Sequence, residues 1–247
     1  MKTINVTVWN EFRHEKTDPA CKSVYPDGLH ATIKAFLDVN EDMNVRLAAL
    51  DDPDQGLPDE VLESTDVLIW WGHMAHHEVS DALAEKIRQR VYLGKMGFIA
   101  LHSAHKSKPF RSIVGTTGNL SWGREQKEIV WTLLPSHPIA AGIPDHFLLP
   151  KEELYSEPFY IPQPDELIFC GWFEDGHVMR AGATFHTGAG KVFYFQPGHE
   201  TCHAYHDANV QRIITNAVRW VQPNEFGYPI KDECPQITWK TVDEFNK

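Results

Sequence analysis

Histidines gather in four segments of this chain: Tyr25 to His30 (YPDGLH), Trp71 to His77 (WGHMAHH), Leu101 to His105 (LHSAH) and Pro197 to His203 (PGHETCH). Imidazole is the commonest metal ligand and the side chain that titrates near neutral pH. Several of these segments sit where a strand of an open α/β sheet would end, and such ends converge on one crevice. The His-x-x-His spacing of His73 and His76 suits two ligands on one ion, with His30, His102 and His199 as further candidates. His199-Glu200 offers a base with an orienting carboxylate, or a ligand with its supporting partner. Between Gly97 and His105 a short strand turns tightly into a helix. Such an elbow puts His102 at the mouth of the crevice, with Ser103 next to it and His105 close by.

Each motif has an ordinary alternative. His30 reads equally as a first-turn helix residue, His77 as an exposed ring and Cys202 as a buried inert thiol. Glu11, Arg13, His14 and Glu15, after the first strand, suit sugar or phosphate contacts, or simply a solvated loop. His137, His146, His177 and His186 fall in turn-like or β-rich segments and read as structural.

The elements that must carry these residues follow from periodicity. Ile4–Trp9 predicts a first strand, followed by a long polar loop to about Pro26 and a helix through Ile33, Phe36 and Leu37. Val45–Leu50 is a second strand, and the apolar run Asp66–Trp71 suits a central parallel strand covered on both faces. A helix over Val79–Leu93 and a strand at Gly97–Leu101 complete a βαβ series. The second half changes character: strands at Glu128–Leu134, Leu167–Trp172, Val178–Phe185 and Lys191–Gln196 are joined by turns, before an amphipathic helix at Val210–Val221. The expectation is one α/β domain over 1–222, a mostly parallel sheet with helices on both faces and a β-rich second half, with a C-terminal extension over 223–247.

A net charge of -11 with no basic run excludes the phosphate-neutralising class of nucleic-acid binders. No stretch approaches the ~20 apolar residues of a membrane span. The N-terminus enters a strand directly, without a secretory leader. The cysteines Cys21, Cys170, Cys202 and Cys234 form no Cys-x-x-Cys pair and read as free thiols of a cytoplasmic protein. There is no Gly-x-Gly-x-x-Gly after the first strand and no nucleotide-triphosphate loop, so no nucleotide cofactor motif is present.

Taken together, WNEFRHE at 9–15, YPDGLH at 25–30, WWGHMAH at 70–76, LHSAHKS at 101–107, Gly115-Thr116, SEPF at 156–159 and FQPGHET at 195–201 resemble the ThuA-like trehalose-utilisation family over roughly residues 3 to 221. That resemblance implies a flavodoxin-like fold of the class I glutamine amidotransferase type. By position, His102 then falls where those enzymes carry their nucleophilic Cys, His199-Glu200 on their His-Glu pair and Gly72-His73 on their oxyanion-hole glycines. Without an elbow thiol, glutamine hydrolysis is not expected. The family association is with catabolism of trehalose and related disaccharides through 3-keto sugars, alongside a separate dinucleotide-dependent oxidoreductase. Cys202-His203 departs from the Tyr-Pro of relatives.

The resulting expectation is a metal-dependent enzyme acting on a glucoside or its 3-keto derivative. Ligands are drawn from His30, His73, His76, His102 and His199, and nitrogen donors favour a divalent ion, zinc first. Glu200 orients His199 or acts as a base, with His102, Ser103 and His105 as further catalytic candidates. Glu11, Arg13, His14 and Glu157 are substrate contacts, and Trp71 and Trp122 offer stacking surfaces. Two alternatives stand beside this one: a non-catalytic sugar-binding subunit of an oxidoreductase complex, and a hydrolase using Ser103 with His199-Glu200. A homo-oligomer is compatible with each.

Overall fold

A computed structural model describes residues 3–223 and 242–245. Its centre is a nine-stranded sheet in the order β2-β1-β3-β4-β9-β8-β7-β5-β6. The parallel half consists of β1 (Ile4–Asn10), β2 (Met43–Ala49), β3 (Val67–Trp71), β4 (Gly97–Leu101) and β9 (Gly190–Phe195). The antiparallel half consists of β5 (Ser121–Thr132), β6 (His146–Ser156), β7 (Glu166–Phe173) and β8 (Val178–Thr187). The fold is α/β and mostly parallel around its centre, as the residue pattern predicts.

Side chains alternate across the sheet with the period of two that a strand imposes. Ile69 and Trp71 of β3, Ile99 and Leu101 of β4, and Phe193 and Phe195 of β9 face one core. That core is closed by α3 (Leu29–Leu37) and α7 (Ala208–Val221). Leu68 and Trp70, Phe98 and Ala100, and Val192 and Tyr194 face the other, under α4 (Asp59–Ser64), α5 (Asp81–Tyr92) and α6 (Lys108–Val114). Burial on both faces explains why β3 and β4 read as unbroken apolar runs. Side-chain caps fix the helix starts: Ser80 accepts from the Leu83 N–H, Ser107 from that of Phe110, and Asp207 from those of Asn209 and Val210.

Three features differ from the expectation. The segment after β1 is not one loop but carries two short helices, α1 (His14–Thr17) and α2 (Pro19–Val24). Strand β5 starts at Ser121 rather than 128, because two register shifts break its alternation and hide it from a period-two reading. β6 has no counterpart in the residue pattern: its interior Pro150 argues against a strand, yet β6 is the sheet's edge, where a missing N–H is tolerated. The predicted C-terminal extension lies, apart from 223 and 242–245, outside the described residues, as does Cys234. Among the described residues no helix is long and apolar enough to cross a membrane.

Candidate functional site

The carboxyl ends of β1, β3, β4 and β9 meet the middle of β6, and buried carboxylates fasten the loops there. Glu11, 1 % exposed at the end of β1, accepts the backbone N–H groups of His73 (2.8 Å), Met74 (3.0 Å) and Ala75 (2.8 Å). Glu152 on β6 accepts those of Gly198, His199 and Glu153, each at 3.0 Å. Glu15 accepts from the Asn10 amide (2.7 Å) and the Leu29 N–H (3.1 Å), tying α1 to the start of α3. The turn into α3 needs glycine at 28: its φ is 94°, and a Cβ would lie 2.5 Å from the His30 ring.

Between these loops His14, His73, His199, Glu153 and Glu200 converge. Oε1 of Glu200 accepts from Nδ1 of His73 (2.7 Å) and from Nδ1 of His14. Oε2 of Glu200 is buried and has no hydrogen-bond partner. Nε2 of His199 stands 3.6 Å from it and 3.9 Å from Oε2 of Glu153. The Thr201 N–H donates to Nδ1 of His199 (3.2 Å), the Thr201 hydroxyl lies 2.8 Å from the same nitrogen and donates to Glu125, and Nε2 is left facing the carboxylates. Imidazole nitrogens and carboxylate oxygens thus crowd together here, a donor set that suits a cation. His14-His73-Glu200 and His73-Glu153-His199 each bring one ligand atom per residue within 4.8 Å of the others, as does Glu125-His199-Cys202 at the flank.

Electrostatics sharpen the arrangement. Burial pushes the Glu200 carboxyl up, but the bonds from His14 and His73 overcome it and hold it well below the usual carboxylate range. The bond to Glu200 raises His14. Burial, helped by the neighbouring His102, lowers His199 to about 4, so it is a neutral imidazole at physiological pH. His102 is fully buried at φ 50°, with Nδ1 2.8 Å from the Gln196 carbonyl and Nε2 3.1 Å from Oε2 of Glu153. Burial alone would lower His102, yet the Glu153 carboxylate raises it.

Of the residues singled out in the sequence, His14, His73, His199 and Glu200 come together, with His102 bordering them through Glu153. His102 has Nδ1 on the Gln196 carbonyl and Nε2 on Glu153, and it is not in either of the central groupings. His30 sits beside Asn10 (3.2 Å) and the Phe12 ring. His76 is outside these groupings, its Nε2 buried without a partner and its pKa lowered to about 4 by burial. His105 packs among Tyr155, Phe159 and Tyr194 with Nδ1 on the Gly118 carbonyl. Ser103 donates to the Gly72 carbonyl (2.7 Å) and is buried.

The remaining candidates have structural partners. Arg13 pairs with Asp51 (2.8 Å) and Glu78 (2.7 Å), and Glu157 clamps Arg180 (2.7 Å). Trp71 is buried and its indole donates to the Gly198 carbonyl, so it holds the His199 loop rather than offering a stacking face. Glu152 and Glu153 escape a sequence reading because β6 does. The only trace is two adjacent acids followed by the apolar pair Leu154-Tyr155.

Residues 5–221 match the family model ThuA, described as trehalose utilisation. Among solved structures the chain is similar to a ThuA-like protein from Parabacteroides merdae (14 % identity, 89 % of this chain and 90 % of that one, TM-score 0.66). It is also similar to a ThuA-like protein from Bacteroides uniformis (16 %, 89 % and 91 %, TM-score 0.61). A glutamine amidotransferase from Thermotoga maritima shares the fold more distantly (13 %, 81 % and 77 %, TM-score 0.50). No curated protein matches the sequence.

Proposed function

Because the chain belongs to the ThuA family of trehalose utilisation, we propose that its histidine-carboxylate crevice is the active site of a metal-dependent enzyme of disaccharide catabolism. Its substrate is a glucoside or the 3-keto derivative of one. The observation that carries this reading is the buried Oε2 of Glu200, without a hydrogen-bond partner and 3.6 Å from Nε2 of His199. His14, His73, His199 and Glu200 are the residues that would hold a divalent ion, zinc first among them given three imidazoles. When bound, such an ion supplies Lewis-acid polarisation of a sugar carbonyl or hydroxyl.

The chain's own residues do the rest. His102 donates to Glu153 and fixes one of its oxygens beside His199, where that carboxylate is placed to exchange a proton with a bound sugar. Glu11 and Glu152 keep the His73 and His199 loops in register without touching the ligand. A 3-keto substrate requires prior oxidation of a ring hydroxyl, which a separate dinucleotide-dependent oxidoreductase would perform. The elbow serine is not favoured as a nucleophile, since its hydroxyl donates to Gly72.

The test is turnover of trehalose, methyl glucoside and 3-keto-glucoside by metal-stripped and reloaded protein. Activity that disappears on stripping, returns with one divalent ion and is lost in His73→Ala supports the proposal. Full activity in stripped protein refutes it, and sugar binding with no turnover of any form would favour a binding subunit.

A further inference from the structure

Most large side chains around the crevice are buried, but Trp122 is not: it is 74 % exposed, against 39 % for Trp131 and 46 % for Trp172 elsewhere on the sheet. Trp122 lies on β5 directly opposite Tyr155 of β6, and Glu125 lies opposite Glu153 after a register shift. Directly opposed residues of an antiparallel pair project from the same face. Tyr155 stacks on His102 (ring centroids 4.6 Å apart, 13° between planes), and His102 bonds to Glu153. The exposed indole therefore stands on the face of β5 and β6 that borders the proposed site.

The rim that carries Trp122 is tethered. His105 holds the Gly118 carbonyl, Lys106 reaches the Asn119 side chain, Thr116 donates to the Tyr160 carbonyl, and the Tyr160 N–H donates to Asn119 (2.8 Å). Tyr160, itself 60 % exposed, adds a second aromatic edge. An exposed indole on an anchored rim next to polar groups costs little conformational entropy when a flat ligand settles on it.

We infer that Trp122 is the stacking platform for a pyranose ring bound over the crevice, an inference that rests on reading the crevice as a sugar site. A gluco-configured ring carries its hydroxyls equatorially, so its axial C–H groups form an apolar face that matches the π-surface of an indole. The hydroxyl rim then points outward, toward groups such as Asn119 and Lys106 on one side and Glu125 on the other. The chemical class assigned is a gluco-configured pyranoside with one ring face free.

The experiment measures binding of methyl glucoside and trehalose to the metal-loaded full chain by calorimetry, in wild type, Trp122→Ala, Trp122→Phe and Trp131→Ala. Removal of an aromatic stacking partner is expected to weaken affinity about tenfold or more. Trp122→Phe should retain most of the affinity, and Trp131→Ala should bind as wild type does. Metal content should be the same in all four proteins. Equal affinity in wild type and Trp122→Ala overturns the platform while leaving the sugar site standing. A metal-loaded wild type that binds no glucoside overturns the sugar reading of the crevice, and the platform falls with it.

Discussion

Replacing Glu11 by alanine should loosen the turn that presents His73 without touching any group at the centre of the crevice. The carboxylate is 1 % exposed and accepts three consecutive backbone N–H groups, those of His73, Met74 and Ala75. A net hydrogen bond to a charged group contributes about 1.5–3 kcal/mol, and a donor left buried costs a similar amount. The Ala75 N–H is buried and would bear this loss in full. His73 and Met74 are partly exposed, so water can replace part of their share. The summed loss is then about 3–5 kcal/mol, a large fraction of the roughly 5–15 kcal/mol that holds a domain folded. At about 2–4 °C per kcal/mol for a chain of this size, melting should fall by roughly 10 °C. Glu11→Gln keeps one oxygen as acceptor and should lose about half as much. Urea unfolding gives the free energies, and amide exchange at 73–75 reports whether the loss is local. A Glu11→Ala protein within about 1 kcal/mol of wild type, with its 73–75 amides still protected, would refute this account of the loop.

Other consequences are as direct. Ser103→Ala removes a donor to a buried carbonyl, and should cost about 1 kcal/mol in urea unfolding while sparing turnover; abolished turnover with metal still bound would restore the serine-hydrolase alternative. Burial pushes Cys21 up to about 12 and raises Cys202 further, so neither should react with a thiol reagent at pH 8 until the protein unfolds, as read by peptide mapping; rapid labelling of either in the native state would contradict this. Two buried groups give pH dependences of opposite sign. His105, held down to about 3 chiefly by burial, is neutral in the fold, so below its ordinary value of 6.5 the unfolded chain takes the proton first. Stability should therefore fall by up to about 1.4 kcal/mol per pH unit between those values, and His105→Gln should flatten that limb. Burial instead keeps the Glu128 carboxyl protonated well above its ordinary 4.5, so Glu128→Gln should stabilise the protein at pH 8 and have little effect at pH 4; a gain confined to acid would reverse the sign argued here.

What could be read in the sequence follows the physics of each element. β3 and β4 announce themselves because helices cover both faces, leaving no polar position to interrupt Val-Leu-Ile-Trp-Trp or Phe-Ile-Ala-Leu. β6 is silent because an edge strand tolerates Pro150 and because Glu152 and Glu153 point into a polar site instead of solvent. The same asymmetry governs the crevice. Clustering makes His73, His199 and Glu200 visible, whereas their supports lie far away in sequence: Glu11 is 62 residues from His73, and Glu152 is 47 from His199. Sequence also cannot distinguish a carboxylate that faces substrate from one that caps a loop, which is why Glu11 and Glu157 read as sugar contacts. In the fold one holds backbone N–H groups and the other clamps Arg180. His76 shows the corresponding limit for spacing, since His-x-x-His suits a shared ion only if both rings turn the same way. Here His73 bonds Glu200 and joins both central groupings, whereas His76 joins neither and its Nε2 is buried without a partner.

The central claim, a metal held by the histidine-carboxylate crevice, is tested most directly by the metal content of untagged protein in wild type, His73→Ala, His199→Ala and His30→Ala. One equivalent of a divalent ion in wild type and His30→Ala, lost in His73→Ala and His199→Ala while all four remain folded, is the predicted result. Wild-type protein that holds no divalent ion and takes none up when zinc, manganese or another divalent ion is added would contradict it.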